Sequence, residues 1–462
     1  MMTVQLLLAL LIVVAPAWVW LQRLVPAGLP ARGILVSGYS VILGAVVIGL
    51  IMRCLSGLSV PFSVFSVGAA SLCLSAAGAL LPAGWRNENR CPFPQAESGL
   101  SNLQRLFVVL CLLLLAARLM SLGLEVATRP VTSWDAKQHW TKQARVFYEH
   151  LRVVPYVSLQ DWLDLGGRGV YTNMHPGYPI TAPLLQAWIA VAIGAWHESL
   201  VNLPWLAVWV AMGMVFYSQA RIAGGSIGLA IGATYMVLSM PYMNIHVALA
   251  GYADLFMAAS YLGAVASLYN WSRTRASWLL YLGLITGASC MLFKNEGFYW
   301  FMSLIPGILL VLLGVRRGLL VLASMLLLLL LFVALMPVET VVAGHSLAGL
   351  DIRYRPESWF PLYLSFFVHG NWHFLAYLVL LAMAAVPLFA REALPLAVVV
   401  MSALLLYLAL YLFTSNATGA VYFTSLNRVG LHIMPAAGFL VFVVLMLLLR
   451  RGSEPQPEQA IA

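Results

Sequence analysis

The sequence predicts an all-α polytopic membrane protein, and three observations lead to that fold class. Hydrophobic residues make up 62% of the 462 residues, whereas only 9% of the residues are charged. Long apolar runs recur along the whole chain, and a helix of about 20 residues crosses a hydrocarbon core of about 30 Å. Because backbone polar groups find no partners in lipid, helices are the expected spanning elements.

About thirteen transmembrane helices can be placed on these apolar runs. The predicted spans are 2–22, 34–52, 58–81, 104–124, 199–220, 226–242, 251–270, 276–293, 298–315, 318–336, 370–390, 393–414 and 431–450. The first run begins without a positive charge, which favours a retained helix over a cleaved signal peptide. The run 180–197 is also apolar, and the distribution of basic residues decides its place.

Basic residues are enriched in the cytoplasmic loops of membrane proteins, so they predict the orientation of each helix. With the N-terminus outside and 180–197 as an interfacial or re-entrant helix, the inner loops hold thirteen arginines. The short outer turns then hold only Arg53 and Lys294. A full span at 180–197 would reverse the orientation of one half of the chain, and the basic residues of that half would then violate this rule. We therefore expect an extracytoplasmic N-terminus and a cytoplasmic C-terminus.

This orientation divides the chain into six parts. They are N-terminal transmembrane helices at 1–124, a first extracytoplasmic loop with interfacial or re-entrant helices at 125–198, a transmembrane core at 199–336, a second extracytoplasmic loop at 337–369, C-terminal transmembrane helices at 370–450 and a cytoplasmic tail at 451–462. All three lysines and all nine histidines fall outside or at the outer membrane edge. The titratable chemistry is thus concentrated on the extracytoplasmic side.

The formal net charge of +9 indicates topology and contact with anionic membrane lipids, and we expect no nucleic-acid partner. The five cysteines form no CxxC pair, and four of them lie in or beside apolar runs. They indicate neither a disulfide framework nor a metal site. His369 and His373 are four residues apart, but no nearby acid in the sequence completes a metal site.

One short stretch, TSWDAKQHWTKQARVFYEH, concentrates charged and aromatic residues. Ser133 is a suitable N-cap for a helix over 134–150. Asp135, His139 and Lys142 then share one face of this helix. A carboxylate, an imidazole and an amine in one line can take a proton from a hydroxyl and hold an anion. The alternative is a solvated amphipathic helix whose charges only pair with each other.

Charged residues at the ends of three later helices are further candidates. Asp254 lies near the outer start of a transmembrane helix, where an acid is costly, although it can also serve simply as a favourable helix N-terminal charge. Lys294 and Glu296 lie in a turn between two apolar runs, either as a simple ion pair or as part of a phosphate site. Arg428 and His432 lie four residues apart at the entry to the last helix. They can form a phosphate clamp, or Arg428 can simply extend its charged end to the membrane interface.

Five short motifs lie in order between about 130 and 435. They are WDA with Trp140, Ala144 and Arg145, HPxYP at 175–179, GYAD at 251–254, KNEG at 294–297, and Asn427-Arg428 followed by Pro435. Together they resemble the motifs of the GT-C superfamily of integral-membrane glycosyltransferases, in the broad group of the protein mannosyltransferases and aminoarabinose transferases. His175 is a candidate on this ground, although a proline-rich turn can also be purely structural.

The resemblance implies a mechanism and a set of site residues. Such enzymes use a polyprenyl-phosphate-linked sugar as donor, and an acid in the first outer loop acts as general base on the acceptor. Asp135 matches that base, and Asp254 matches a second, assisting acid. The residues that match the donor phosphate-binding cations are Lys294, Arg428, Lys142 and Arg145. The other site candidates are His139, His175, Glu296 and His432.

The function that the resemblance implies is an inverting glycosyltransferase acting on the extracytoplasmic face, with a glycan, a lipid or a protein as acceptor. No cofactor is expected. A divalent metal ion is the alternative, and it is disfavoured because no second acid stands beside Asp135. The chain departs from many relatives in carrying three helices before the one that leads into Asp135.

Two rival functions remain open on the sequence. A lipid-linked glycan polymerase or ligase would also use outer loops with Arg and His, but such enzymes usually carry their large loop late in the chain. A transporter or flippase would be expected to show charges at mid-membrane depth and pseudo-symmetric halves. Arg118 is the only clear charge inside a predicted span, and the two halves of the sequence do not match.

Overall fold

The chain folds almost entirely into helices, which make up 78% of the computed structural model. The structure describes residues 2–82, 99–335, 337, 340–342 and 345–453. Three parts of the predicted loops and tail lie outside the described residues. They are the segment 83–98, which contains Arg86, Arg90 and Cys91; Glu339 of the second loop; and residues 454–462 of the tail.

The α-helices are numbered here in chain order. The first ten are α1 (Met2–Leu24), α2 (Arg32–Gly57), α3 (Val64–Ala79), α4 (Asn102–Thr128), α5 (Thr141–His150), α6 (Leu159–Asp164), α7 (Thr181–Ile193), α8 (Leu203–Ile222), α9 (Ile227–Leu238) and α10 (Pro241–Ala248). They are followed by α11 (Asp254–Thr274), α12 (Ser277–Phe293), α13 (Gly297–Leu313), α14 (Val315–Leu335), α15 (Leu347–Leu350), α16 (Trp359–Tyr363), α17 (Leu375–Phe389), α18 (Leu394–Phe413), α19 (Ala417–Val421) and α20 (Leu426–Ser453).

Short elements connect these helices. The π-helical turns are Ala136–Trp140 and Leu364–Val368, and the 3-10 turns are Leu200–Asn202, Pro356–Ser358 and Arg391–Ala393. Strand β1 (Tyr156–Val157) pairs in parallel with β2 (Tyr171–Thr172), and β3 (Val341–Val342) pairs antiparallel with β4 (His345–Ser346). Two-residue strands form no layer of their own, so the predicted all-α class is confirmed.

Long apolar helices identify a membrane protein. Among the described residues, six helices are long and apolar enough to cross a membrane, namely Met2–Leu24, Arg32–Gly57, Asn102–Thr128, Leu200–Ile222, Arg391–Phe413 and Leu426–Gly452. Six shorter apolar helices accompany them, including α9, α12 and α13. Each of the thirteen predicted spans coincides with a helix, but the number that crosses the membrane stays a prediction.

Capping side chains explain where several helices begin. Ser63 starts α3 and Ser101 starts α4, each in a reciprocal capping box in which the third helical residue bonds back to the cap. Ser226 accepts a hydrogen bond from the amide of Leu229 at the start of α9. Gly194 ends α7 in the left-handed conformation, with φ of 74°, which glycine adopts without strain.

The centre of the bundle is α11, which is buried along nearly its whole length between α8, α12 and α20. A polar network ties it to its neighbours. The hydroxyl of Tyr39 donates to the carbonyl of Gly263 at 2.8 Å and lies 2.7 Å from the Ser267 hydroxyl. Gln219 donates to both hydroxyls and accepts from Asn270 at 2.7 Å. Hydrogen bonds of this kind hold transmembrane helices together, because lipid is as apolar as the helices and gives no hydrophobic driving force for their association.

Helix α7 anchors the connection between α4 and α8 to the bundle. Its 13 residues span about 20 Å, which is shorter than a hydrocarbon core. The indole of Trp188 donates to the carbonyl of Ala9 at 3.1 Å. The amide of Gln186 donates to Thr141 at 3.0 Å and to Asn202 at 2.7 Å. These bonds fix α5 against α7, and α5 continues directly from the helical turns that carry Asp135.

Candidate active site

A cavity of about 580 Å³ collects six of the ten candidate residues. These six are Asp135, His139, His175, Lys294, Glu296 and Arg428. They come from the α4–α8 connection, the α12–α13 turn and the start of α20, which are separated by more than a hundred residues of chain. The bundle therefore brings together motifs that are distant in the sequence.

Asp254 is the centre of a buried ionic cluster behind the cavity wall, and its side chain is fully buried. Its Oδ1 accepts from Lys294 Nζ at 3.0 Å and from His432 Nε2 at 2.8 Å. Its Oδ2 accepts from Arg428 Nη2 at 3.4 Å. As the first residue of α11, the carboxylate also lies at the positive end of a helix dipole. Asp254 does not line the cavity, so this geometry suits a positioning residue, and the role of Asp254 as an assisting acid stays a prediction.

Arg428 connects this buried cluster to the cavity. Its Nη1 donates to Asp135 Oδ2 at 2.6 Å, while Nη2 reaches Asp254. The guanidinium carbon lies 4.5 Å from the centre of the Tyr252 ring, a favourable cation–π distance. Among the described residues, the buried Nε has no acceptor. One guanidinium thus orients the cavity carboxylate and keeps a donor free.

The α12–α13 turn supplies the second cation. Lys294 ends α12, and its Nζ lies 3.3 Å from Glu296 Oε1 in addition to its bond with Asp254. Gly297 begins α13, and a Cβ at that position would overlap the carbonyl group of Cys290. The turn can fold this tightly against α12 only with glycine there. In this cluster, the two cations Lys294 and Arg428 face three carboxylates.

His432 lies behind the cavity, where its side chain is completely buried. Trp300 Nε1 donates to His432 Nδ1 at 3.1 Å, and His432 Nε2 bonds to Asp254. These partners assign the tautomer with the proton on Nε2, which donates to the carboxylate. Of the predicted pair, Arg428 lines the cavity and His432 does not, so a phosphate clamp made by both residues stays a prediction. His432 links the cavity-lining Trp300 to Asp254.

A π-helical turn separates the residues predicted on one face of the helix at 134–150. The helix forms as predicted, but residues 136–140 adopt π geometry, in which the hydrogen bonds run to the fifth residue and the turn is one residue wider. Asp135 and His139 line the cavity, whereas Lys142 and Arg145 line a different cleft. The predicted common face of Asp135, His139 and Lys142 is therefore wrong, and Lys142 Nζ donates to the carbonyl of Thr172 at 3.3 Å.

Close packing fixes this π turn. Gly251 has φ of 110°, a conformation that favours glycine. A Cβ on Gly251 would overlap the Cβ of Ala136, the residue after Asp135. The hydroxyl of Ser133 also donates to the carbonyl of Ala250 at 3.3 Å. The GYAD segment therefore packs against the turn that carries Asp135 and also reaches Asp135 through Arg428, which bonds to both Asp254 and Asp135.

His139 and His175 lie side by side in the cavity, with ring centres 5.0 Å apart. Burial and then the charge of His175 lower the pKa of His139, against the opposing charge of Asp135. In the described part of the chain, Nδ1 of His139 has no hydrogen-bond partner. The Glu296 carboxylate and burial raise the pKa of Tyr178 to about 12. At neutral pH the cavity thus presents a neutral His139 and a phenol that can donate a hydrogen bond.

The cavity also has an extensive apolar wall. Leu406, Leu410 and Phe413 of α18 line it, together with Leu350 and Ile352 from the segment before α16. Charged groups and an oily surface in one cavity suit a ligand with a polar head and a hydrocarbon chain.

Several lining residues were not among the site residues predicted from the sequence. They are Trp140, Tyr299, Trp300, Tyr411, Ser425 and the apolar residues of α18. Trp300 lies one helical turn after the KNEG motif, so helical spacing from that motif was the available signal. The apolar wall had none, because a leucine facing a cavity and a leucine facing lipid look alike in sequence.

Among the described residues, no group of three or more His, Cys, Asp or Glu side chains is arranged to hold a metal ion. His369 packs on Phe423 with ring centres 5.2 Å apart, whereas His373 bonds to the carbonyl of Ser239 at 3.1 Å. These two histidines therefore point to structural roles. The expectation of a cofactor-free site stays a prediction.

The fold and the site define the class of all-α membrane proteins with a cavity that combines a buried ionic cluster and an apolar wall. Comparison with protein-family models, curated proteins and solved structures gives no match for this chain. The function is therefore inferred from the cavity itself.

Proposed function

We propose that this protein is a glycosyltransferase that moves a sugar from a polyprenyl-phosphate donor to an acceptor hydroxyl. The observation that carries the proposal is the single cavity in which a carboxylate, Asp135, meets Arg428 at 2.6 Å beside Lys294 and an apolar wall. A donor of this class has an anionic phosphate between a sugar and a hydrocarbon chain, and the cavity offers a complementary group for each part.

Asp135 is the proposed general base. Its side chain is 25% exposed, and of the two cluster carboxylates in the cavity wall it is the more exposed, because Glu296 is 18% exposed and also pairs with Lys294. It takes the proton of the acceptor hydroxyl while the oxygen attacks the anomeric carbon of the donor. The bond from that carbon to the phosphate oxygen breaks on the opposite side, so the transferred sugar inverts its configuration.

The leaving group is the polyprenyl phosphate, on which negative charge grows in the transition state. Lys294 and Arg428 are fixed by carboxylates before the donor arrives, so they need little reorganisation to stabilise that charge. Arg428 has a free buried Nε for this purpose within the described structure. A phosphate leaves as an anion at neutral pH, so the mechanism requires no general acid.

The membrane arrangement that goes with this function is thirteen spans, with the N-terminus outside and the C-terminus in the cytoplasm. The proposed active site then faces the extracytoplasmic side of a bacterial inner membrane. Support comes from the arginines in the predicted inner loops.

The direct test is sugar transfer by the purified full chain in detergent. A panel of radiolabelled polyprenyl-phosphate sugars is offered together with extracted glycans, lipids and envelope proteins as acceptors. We expect transfer from at least one donor, and we expect Asp135→Asn to reduce its rate by about 100-fold or more.

The matched control is Asp164→Asn, which removes an exposed acid of the same α4–α8 connection whose partner is Gln160. It should transfer sugar at the wild-type rate. Equal rates for Asp135→Asn and wild type would exclude Asp135 as the base. Absence of transfer from every donor by the wild-type protein would overturn the proposed function.

A further inference from the structure

A second cleft of about 450 Å³ lies on the other side of the helical stretch that carries Asp135. Three of its lining residues are the basic side chains Lys137, Lys142 and Arg145. The aromatic side chains of Tyr171 and Trp196 and the carboxylates of Glu149 and Glu198 also line it, so the cations outnumber the acids by three to two. The cleft shares no lining residue with the cavity of the proposed active site.

The basic residues of this cleft are only weakly engaged. Arg145 lies 3.6 Å from Glu149 and 3.7 Å from Glu198, and all three side chains are about half exposed. Exposed ion pairs at such distances contribute little. Lys142 donates to a backbone carbonyl, and the exposed Lys137 has no side-chain partner among the described residues. These cations can therefore exchange their contacts for an anionic ligand at small cost.

The aromatic residues, in contrast, are held in place. Trp196 Nε1 donates to Glu198 Oε1 at 2.8 Å, and Arg145 lies over the indole at 6.0 Å. The hydroxyl of Tyr171 bonds to His150 at 2.9 Å. Its ring stacks on Tyr156 with the centres 5.8 Å apart. Rigid aromatic faces beside charged hydrogen-bonding groups suit a ligand that has both apolar faces and many hydroxyls.

We propose that this cleft binds an anionic saccharide and serves as the docking site of the acceptor. The acceptor role rests on the proposed glycosyltransferase function, whereas the saccharide binding does not. Sugar rings offer C–H faces to Trp196 and Tyr171, and their acidic groups pair with Lys137, Lys142 and Arg145. The docking site and Asp135 belong to the same helical stretch, so a glycan bound in the cleft can extend a neighbouring sugar unit towards the base.

The test is calorimetric binding to the purified full chain in detergent at low salt. The probes are tetragalacturonate and its methyl ester, which keep the same sugar skeleton with and without negative charge. We expect the acid to bind at least about tenfold more tightly than the ester, and the difference to shrink as salt is added. Lys137→Gln combined with Arg145→Gln should weaken the binding of the acid by about tenfold or more.

Arg168→Gln is the matched control, because it removes an exposed arginine of the same connection that does not line the cleft. It should bind tetragalacturonate like the wild-type protein. Trp196→Leu should weaken both probes, and its unfolding temperature shows whether it is folded. Equal binding of acid and ester would overturn the proposal. Equal effects of the double variant and Arg168→Gln would overturn it as well.

Measuring sugar transfer on the same samples separates the two proposals. Binding of tetragalacturonate without any transfer would refute the glycosyltransferase and leave the saccharide site standing. Transfer without selective binding of tetragalacturonate would refute the docking site and leave the enzyme standing.

Discussion

Two clusters of acids and cations lie on opposite sides of the helix at 134–150, and they differ mainly in burial. In the cavity cluster, the side chain of Asp254 is fully buried and that of Lys294 is 4% exposed. In the cleft cluster, the side chains of Arg145, Glu149 and Glu198 are 57%, 58% and 47% exposed. The same residue types therefore work in two dielectric environments within one short segment.

The difference in burial indicates what each cluster is suited to do. Removing one partner of a buried ion pair leaves an uncompensated charge, so the members of the cavity cluster hold one another rigidly. Exposed pairs are screened and weak, so the members of the cleft cluster are free to rearrange around a ligand. The cavity cluster thus suits chemistry on a fixed geometry, and the cleft suits recognition.

The largest expected effect is that of Asp254→Asn. Loss of this carboxylate leaves Arg428 and Lys294 without their shared buried partner, and we expect a loss of about 3–5 kcal/mol in the free energy of unfolding. Denaturant unfolding in detergent, followed by tryptophan fluorescence, measures it. Glu149→Gln in the cleft is the paired control and should cost less than about 1 kcal/mol. Similar losses in the two variants would remove the distinction between the clusters.

A smaller effect is expected for Gly251→Ala. The new Cβ would overlap Ala136 in a backbone conformation with φ of 110°, so we expect a destabilisation of about 1–3 kcal/mol. Sugar transfer should fall more than stability suggests, because the displaced π turn carries Asp135. Gly177→Ala is the control, since a Cβ there meets nothing within 4 Å. An unchanged rate in Gly251→Ala would show that this contact does not position the base.

The smallest effect concerns pH and His139. Burial lowers the pKa of His139, so the unfolded chain takes up a proton near pH 6.5 that the folded chain resists. The stability linked to this residue is complete above about pH 6.5 and declines as the pH falls below that value. The unfolding temperature of His139→Asn should therefore fall less between pH 7.5 and pH 5.5 than the unfolding temperature of the wild-type protein does. His197→Asn, which alters an exposed histidine, should behave like wild type, and a steeper loss in His139→Asn would contradict the assignment.

The sequence predicted the helices well, because apolar runs of spanning length leave little choice of structure. The span predicted at 251–270 is α11 at Asp254–Thr274, and the helix at 134–150 forms around the motif that suggested it. Six of the ten candidate residues meet in one cavity because the predicted motifs all flank helix ends.

The features that the sequence did not predict depend on tertiary contacts. The sequence places Asp254 only at the outer start of a transmembrane helix, and packing of α11 between its neighbours buries it completely. The π turn at Ala136–Trp140 follows from contact with Gly251, more than a hundred residues later. A regular helical period therefore placed Lys142 on the wrong face.

The charge count of the cavity cluster has a consequence for the proposed reaction. Lys294 and Arg428 face Asp135, Asp254 and Glu296, so these fixed groups together carry one negative charge before any substrate binds. A phosphate that enters such a site adds to an existing excess of negative charge. We therefore expect donor binding to be coupled to the uptake of a positive charge, either a proton on the adjacent His139 or an accompanying cation. The affinity for the donor would accordingly rise as the solution becomes more acidic, or would depend on the cation supplied with it.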